Sequence, residues 1–480
     1  MELKKQVIQS TKWNSLATIF NLGFQFVKLI VLTRLLDKAD FGLVAIATMV
    51  ISFTSIFSDL GFTIAIIHKQ DTTEQQYSSL YWANVIFSVL LFIIVVATSP
   101  LVASFYNESR LTLIVSLLGV EILANAFGKM FQTIKMKSLD FKFISIVNSV
   151  CTIIGFVVTV ALAILGYGVY SLVIGQLVQV VITQIVFMLS GRKSIKITLH
   201  FDIREIKDYI LIGSYGLGAK VVDFAASKID VFLIGRFFGM EALGVYNLAK
   251  ELIAKPYTIL GKIFYNIGVS AFAIIQNNVS AVKEKLSMVV NAVSLLTIPL
   301  YVVLAIFAER VVPIIYSSSY VEIVPLVRIF AIYGIISSIE LVSASIRDAK
   351  GKTDYSLLWT FLLLIITTAI TVVLKNTSIN YLACAISIIS IITIWPFWYI
   401  TIYKTAGVTF KDYIKSFSNN FLIATLVGLI IFGLFLINNT TPVVIILSVL
   451  YCLLYLVGEY LFNRHAVNQL WSIIYKKRKE

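Results

Sequence analysis

The chain has 480 residues, of which 59% are hydrophobic and only 13% are charged. An ordinary soluble domain carries about 25% charged residues, so this composition excludes a water-soluble enzyme. The net charge is +14, with 39 Lys and Arg residues against 25 Asp and Glu residues. In a soluble protein that charge would suggest a nucleic-acid partner, but in a membrane protein the positive-inside rule already explains it. We therefore expect a membrane protein with no nucleic-acid partner.

Apolar runs separated by short polar stretches predict about fourteen transmembrane helices. In chain order these runs cover residues 12–33, 40–67, 79–99, 110–134, 143–165, 168–190, 207–235, 241–275, 287–308, 320–346, 355–374, 379–402, 416–437 and 442–462. The basic segment before the first run lacks a small-residue cleavage pattern, which favours an uncleaved first helix. The sequence thus predicts an all-α polytopic membrane protein.

The distribution of basic residues between alternate loops predicts the topology. With the first residue in the cytoplasm, about 26 basic residues fall on the cytoplasmic side, among them Lys129, Lys135 and Lys137, against about six outside. A single missed helix would invert every later loop and destroy this bias. We therefore expect both termini to be cytoplasmic.

Charged residues remain inside the predicted helices after the loops are counted. They are the basic residues Lys28, Lys220, Lys228, Lys250, Lys255, Lys262 and Arg328, and the acidic residues Asp59, Glu121, Asp223, Asp230, Glu251 and Glu340. A charge at bilayer depth costs several kcal/mol unless it faces water or a partner, so this set predicts a polar cavity. For each residue the alternative is a structural ion pair or a side chain that reaches back to the membrane surface.

The seventh and eighth predicted helices carry the densest charge. Helical spacing places four polar residues on one face of the seventh: Lys220, Asp223, Ser227 and Asp230. In the eighth, Glu251 and Lys255 form an i, i+4 pair, and Pro256 follows at once. Because proline removes a backbone hydrogen bond, we expect a kink or hinge at Pro256 that lines a cavity.

The sequence repeats itself at an offset of 202 residues. Arg34 is followed eight residues later by Gly42, and Arg236 is followed at the same distance by Gly244. The copies are an even number of helices apart, which predicts parallel six-helix repeats. We expect an N-terminal lobe at 1–195, a C-terminal lobe at 196–408, and two extra helices with a basic tail at 409–480.

Motifs for catalysis and cofactor binding are absent from the sequence. The segment from Gly213 to Lys220 resembles a phosphate-binding loop, but its lysine arrives one residue late and lies within a predicted helix. Neither a metal-protease motif nor a nucleophile elbow occurs. We expect a protein that is not an enzyme and has no cofactor and no metal site.

The duplicated motif and the two-lobe plan resemble the multidrug/oligosaccharidyl-lipid/polysaccharide exporter superfamily. The motif residues are Arg34 to Gly42 and Arg236-Phe237-Phe238-Gly239 to Leu243-Gly244-Val245-Tyr246. The resemblance covers nearly the whole chain and is greatest to Wzx-type polysaccharide flippases of the colanic acid and teichuronic acid exporter branch.

This resemblance implies a MATE-like fold and a flippase of the bacterial cytoplasmic membrane. Its substrate would be an undecaprenyl-pyrophosphate-linked oligosaccharide, moved from the inner to the outer leaflet by alternating access of the lobes. Membrane lipids are implied partners, and polysaccharide polymerase and export machinery are candidates. The candidates for holding the anionic head group are Lys28, Lys220, Lys250, Lys255, Lys262 and Arg328. The candidates for tuning charge or coupling an ion are Asp59, Asp223, Asp230, Glu251 and Glu340.

Two alternatives remain open from the sequence. A multidrug/cation antiporter of the same superfamily would share the two-lobe plan but favours an acidic cavity lined by apolar residues. A polytopic polysaccharide polymerase or glycosyltransferase usually needs a large extracytoplasmic loop or a cytosolic catalytic domain. Every predicted outside loop here has about a dozen residues or fewer, which argues against that class.

Overall fold

The computed structural model describes residues 2–58, 63, 66–67, 69, 71–192, 195–214 and 217–464. Side chains are described for these residues except 2–12, 14–15, 208 and 210–216. Within these ranges the regular secondary structure is helical throughout, which confirms the predicted all-α class. Asp59 lies outside the described residues.

Contacts between Cα atoms divide the chain into two compact units, Met1–Gly244 and Val245–Glu480. The helices that begin in the first unit are α1 Glu2–Leu32, α2 Lys38–Ser58, α3 Glu74–Tyr106, α4 Arg110–Lys137, α5 Phe141–Ile164, α6 Val169–Gly191, α7 Ile203–Ser214, α8 Leu217–Phe237 and α9 Gly239–Pro256. Within the first unit, α4 packs against α3 and α6, and α5 packs against α1 and α6. The predicted lobe boundaries at residues 195 and 408 stay a prediction.

In the second unit, α9 continues into a π-helical turn at Tyr257–Gly261. The next helices are α10 Lys262–Ile275, α11 Val279–Ile306, α12 Ala308–Tyr316, a 3-10 turn at Ser318–Tyr320, α13 Ile323–Ala349, α14 Thr353–Val373, α15 Ile379–Ile392 and α16 Ile394–Phe397. A second π-helical turn at Trp398–Tyr403 leads to α17 Lys404–Ala406, α18 Phe410–Ile437 and α19 Thr441–Phe462. The central helix α13 packs against α10, α11 and α15.

Polar residues at the helix ends explain where the helices start and stop. Thr73 accepts a hydrogen bond from the backbone of Gln76, whose side chain in turn accepts one from the Thr73 backbone. This reciprocal arrangement is a capping box, and it satisfies amides that have no partner in the first turn of a helix. Asn107 ends α3 in the left-handed conformation. Short capped turns of this kind let one helix end and the next begin within a few residues.

Among the described residues, 11 helices are long and apolar enough to cross a membrane, and the number is 12 if one bent pair forms a single span. That pair is Ile379–Ile392 with Ile394–Ala406, bent by 41°. Neither α1, whose apolar part is Leu16–Leu32, nor α8 is among the 11. In α8 the reason is charge, because Lys220, Asp223, Lys228 and Asp230 all lie on it. The multi-span architecture is confirmed, whereas the number fourteen stays a prediction.

A buried polar network joins α11, α18 and α19. The Asn420 amide donates to the Ser294 hydroxyl at 2.7 Å and to the Asn291 carbonyl at 3.2 Å. Asn463 donates to the Asn420 amide oxygen at 2.6 Å and to the Glu459 carboxylate at 2.9 Å. The side chains of Asn420 and Glu459 are completely buried. Hydrogen bonds between membrane helices of this kind hold the last two helices of the chain against α11.

We expect Asn420→Ala to destabilise the protein by about 1–3 kcal/mol, because it removes the partner of the buried Ser294 side chain and of the half-buried Asn463 side chain. The measurement is the thermal unfolding midpoint of the purified protein in detergent. Asn376→Ala, in an exposed turn after α14, is the control and should leave the midpoint unchanged. Equal midpoints for the two variants would show that the network adds nothing to stability.

Candidate functional site

The predicted polar stripe lies on α8 in the first unit. Lys220, Asp223 and Ser227 are all exposed on this helix, as their shared face requires. Asp230 is different: it is only 4% exposed, and its carboxylate accepts a hydrogen bond from the Val231 amide at 2.8 Å. Only the first three residues of the stripe therefore have exposed side chains.

In α9 the predicted ion pair is present. The Lys255 ammonium lies 3.0 Å from the Glu251 carboxylate, across one helical turn. One turn before Lys255 on the chain, the Lys250 ammonium lies 5.8 Å from the centre of the Tyr246 ring. At that distance the ring face attracts the cation. Both lysines are half-buried, so their charges are held in place rather than fully hydrated.

The α-helical geometry of this segment ends at Pro256. The next five residues, Tyr257–Gly261, form a π-helical turn before α10 begins with the exposed Lys262. Proline removes one backbone donor from the helical ladder, and the extra residue of a π turn accommodates that loss. Such turns occur frequently at functional sites. The hinge role of Pro256 stays a prediction.

The remaining candidates lie on two other helices. On α13, Arg328 pairs with Glu309 at 2.9 Å and donates to the Ala305 carbonyl at 3.2 Å, which fixes its guanidinium near the start of the helix. Lys28 is half-buried on α1. Glu340 on α13 has one carboxylate oxygen that is buried and accepts no hydrogen bond from the described residues.

The two glycines of the repeated motif meet at a helix crossing within the first unit. A Cβ added to Gly42 would lie 2.0 Å from the Met240 carbonyl oxygen, and one added to Gly244 would lie 1.9 Å from the Lys38 carbonyl oxygen. Met240 occupies the place of Lys38 in the second copy, so the contact is reciprocal. Side chains larger than hydrogen do not fit such a contact between backbones. The Lys38 ammonium, 3.6 Å from the Glu241 carboxylate, adds an ion pair beside it.

The two arginines of the motif are exposed at the helix ends that precede the crossing. Arg34 donates to the Ile30 carbonyl one turn earlier in α1. The Arg236 guanidinium lies 5.1 Å from the centre of the Phe105 ring. In the second copy the turn continues through Gly239, whose φ of 86° is the left-handed conformation that favours glycine. Each copy therefore combines an arginine at a helix end with a glycine at the crossing.

A polar cleft that the charge count did not predict lies among α2, α3 and α4 in the first unit. Its volume accessible to water is about 20 Å³, which is room for about one water molecule. We call it the Lys129 cleft. The polar residues that line it are Ser58, Thr63, Asn84, Ser88, Asn125, Lys129 and Thr133. The positive-inside count placed Lys129 among the cytoplasmic loop residues, but the structure places it within α4. Its position eight residues before the helix end was a sequence signal for this difference.

Metal ligation finds no support among the described residues: no group of three or more His, Cys, Asp or Glu side chains is close enough together to hold an ion. The three cysteines, Cys151, Cys384 and Cys452, are free thiols on separate helices.

Comparison with solved structures shows the fold. The lipid II flippase MurJ in an inward closed conformation matches with a TM-score of 0.74 at 15% identity, over 94% of this chain and 99% of MurJ. An inward-facing multidrug resistance MATE transporter matches with a TM-score of 0.63 at 13% identity, over 82% of this chain and 96% of that chain. These likenesses confirm the predicted MATE-like architecture.

Comparison with known sequences shows the family. The teichuronic acid biosynthesis protein TuaB of Bacillus subtilis is 28% identical over 436 residues, which cover 90% of this chain and 89% of TuaB. The lipopolysaccharide biosynthesis protein WzxC of Escherichia coli is 24% identical over 356 residues, 74% of this chain and 72% of WzxC. The model of the polysaccharide biosynthesis protein family matches residues 31–325, more than half of the chain. The chain therefore belongs to the polysaccharide biosynthesis protein family.

Proposed function

We propose that this protein is a flippase that moves lipid-linked oligosaccharide across the bacterial cytoplasmic membrane for surface polysaccharide synthesis. The observation that carries the proposal is the combination of family and fold. The chain belongs to a family named for polysaccharide biosynthesis, and its fold is similar to that of a lipid II flippase. Lipid II and an undecaprenyl-pyrophosphate-linked oligosaccharide have the same chemical plan, in which a polar head is joined through pyrophosphate to a long prenyl tail.

The charged residues support a path for the head group. A pyrophosphate needs cations at bilayer depth, where a lone charge costs several kcal/mol, while the prenyl tail can stay in lipid. The residues assigned to this path are Lys28, Lys220, Lys250, Lys255, Lys262 and Arg328. Among the acidic residues, Glu251 sits directly against Lys255, 3.0 Å away, and is suited to tune its charge. Asp59, Asp223, Asp230 and Glu340 are assigned the same tuning or ion-coupling role.

The motion assigned to transport is alternating access of two six-helix lobes, with the π-helical turn after Pro256 as a hinge. We place both termini in the cytoplasm, from the excess of basic residues in the loops on that side. Partners in this proposal are membrane lipids, a polysaccharide polymerase and export machinery. The protein acts as a transporter rather than an enzyme, in keeping with the named roles of its relatives.

The proposal is tested with purified protein in liposomes that contain undecaprenyl-pyrophosphate-oligosaccharide carrying a fluorophore on the sugar. A membrane-impermeant reductant bleaches the outer-leaflet half of the fluorescence at once, and we expect flipping to expose the rest within minutes. Liposomes without protein should keep about half of their signal. Retention of that half with protein present, together with uptake of a cationic dye, would instead favour a multidrug/cation antiporter.

A further inference from the structure

An apolar groove runs along an exposed face of the first unit, where α4 and α6 pack against each other. Apolar side chains from both helices form its walls, among them Val120, Ala124 and Phe127 of α4 and Val181, Ile185 and Met188 of α6. The space in it that is open to a water-sized molecule is about 460 Å³, within the usual range for sites that hold a ligand. Phe127 and Ile185 are 41% and 44% exposed, so the groove opens to the surroundings of the protein. We call it the Arg192 groove, after the basic residue that also lines it.

The spacing of the groove residues shows how far the groove extends. Val181, Ile185, Met188 and Arg192 recur every three or four residues, so they lie on one face of α6 and its carboxyl end. At about 1.5 Å for each residue, the rise from Val181 to Arg192 is about 16 Å. The hydrocarbon core of a bilayer is about 30 Å thick, so the groove has the length of one leaflet. A molecule that reaches from Arg192 to Val181 therefore fits within one leaflet of the membrane.

Arg192 supplies a positive charge at one end of the groove. It caps the carboxyl end of α6, its side chain is exposed, and it makes no ion pair with any residue in the described part of the chain. The positive-inside rule explains a basic residue at such a helix end, but it does not explain an apolar groove that ends at the same residue. A guanidinium binds phosphate oxygens through two parallel N–H groups, so Arg192 is suited to a phosphate.

Polar chemistry in the groove is confined to that end. Gln184, the other polar residue that lines it, is 7% exposed, and its amide nitrogen donates to the Asn125 oxygen at 2.8 Å. A sugar or a nucleotide would leave hydroxyl groups without partners along apolar walls, and each unsatisfied buried polar group costs free energy. A hydrocarbon chain meets the same walls without that cost. Charge and polarity together favour a lipid with a phosphate in its head group.

We propose that the Arg192 groove is a binding site for an anionic phospholipid of the bilayer, with its phosphate on Arg192 and one acyl chain along α4 and α6. Basic pockets between transmembrane helices bind anionic head groups in this way. With the topology proposed above, Arg192 lies on the cytoplasmic side, so the lipid belongs to the inner leaflet. This inference goes beyond the proposed function, because the bound molecule is a lipid of the membrane itself and not the transported lipid-linked oligosaccharide.

The test is thermal stabilisation of the full-length protein in a neutral detergent by added lipid. The probes are phosphatidylglycerol, phosphatidylcholine with the same acyl chains, glycerol 1-phosphate, which has no chain, and undecaprenyl phosphate. We expect phosphatidylglycerol to raise the unfolding midpoint in a saturable way, with an apparent affinity about 5-fold higher than that of phosphatidylcholine, the usual contribution of one basic residue. Glycerol 1-phosphate should leave the midpoint unchanged. Tighter binding of undecaprenyl phosphate than of phosphatidylglycerol would assign the groove to the transported lipid and contradict the proposal.

Two pairs of variants locate the effect in the groove. Arg192→Gln should remove the preference for phosphatidylglycerol over phosphatidylcholine, whereas Arg204→Gln, at an exposed position of α7 outside the groove, should keep it. Ala124→Phe fills the groove and should weaken binding of both phospholipids at least about 10-fold, since the loss of two buried methylene groups already corresponds to that factor. Ala161→Phe, at an exposed position of α5, is its control and should bind both phospholipids as the wild type does.

Three results would overturn the inference: equal affinity of the wild-type protein for the two phospholipids, a preference that survives in Arg192→Gln, or equal affinities in Ala124→Phe and Ala161→Phe. None of these results depends on transport. A protein that flips its substrate but gives any of them would contradict this lipid site alone, whereas one that binds phosphatidylglycerol through Arg192 but never flips would contradict the proposed function alone.

Discussion

Neutralising Lys220, Lys250 and Lys255 together, each by Gln, is expected to abolish surface polysaccharide while the protein still inserts in the membrane. A hydrogen bond to a charged group is worth about 1.5–3 kcal/mol, so loss of two such contacts with a pyrophosphate amounts to at least about 3 kcal/mol. That energy corresponds to a transport rate more than about 100-fold lower. The measurement is the amount of cell-surface polysaccharide in a strain that depends on the variant.

The matched control keeps the charge and changes its shape. A triple variant with Arg at the same three positions should retain most of the polysaccharide, because arginine also binds phosphate. Both variants must be present in the membrane in equal amounts. Normal polysaccharide from the Gln variant would remove these lysines from the substrate path and leave the flippase proposal to be judged by the liposome assay.

Local features of the fold were predictable from the sequence because they depend on neighbouring residues. The apolar run at 110–134 with lysines after it predicted a helix, and α4 covers Arg110–Lys137. The spacing of Glu251 and Lys255 predicted an ion pair that the structure places at 3.0 Å. Hydropathy and i, i+4 spacing act within one helix, so a single sequence contains them.

Features that depend on other helices were not predictable in the same way. Asp230 shares a helix face with Lys220, yet it is buried, and the helix that carries it packs against α2. The Lys129 cleft needs side chains of α3 and α4 that lie about 40 residues apart in the chain, and no periodicity connects them. Counting lysines by loop assigned Lys129 to topology, because the count ignores how far into a helix each lysine lies.

The internal repeat predicted that Gly42 and Gly244 correspond, but it did not predict that they touch. The fixed offset of 202 residues shows only that the two glycines are equivalent positions. For them to be in contact, the two helices that carry them must also face each other. In the structure each glycine meets the helix that carries the other, so a mutation at either position disturbs the same crossing. This reciprocal contact explains why both equivalent positions, 42 and 244, are glycine.

We expect Gly42→Ala and Gly244→Ala each to destabilise the protein by at least about 1–3 kcal/mol, the usual cost of overpacking a close contact. The new methyl group would lie about 2 Å from a carbonyl oxygen of the facing helix, and backbone cannot rotate away as a side chain can. The thermal unfolding midpoint in detergent should fall in both variants. Because both methyl groups force apart the same two helices, the double variant should lose less than the sum of the two single losses.

Gly23→Ala is the matched control for this prediction. Gly23 also lies inside a helix of the first unit, but a Cβ added there would meet no atom within 4 Å. Alanine at such a position lowers the entropy of the unfolded chain and raises helix propensity, so Gly23→Ala should keep or raise the midpoint by up to about 1 kcal/mol of stability. A fall as large as that of Gly42→Ala would trace the loss to glycine replacement in general. Opposite shifts in the two variants would instead locate it at the crossing, where Lys38 and Glu241 are held 3.6 Å apart.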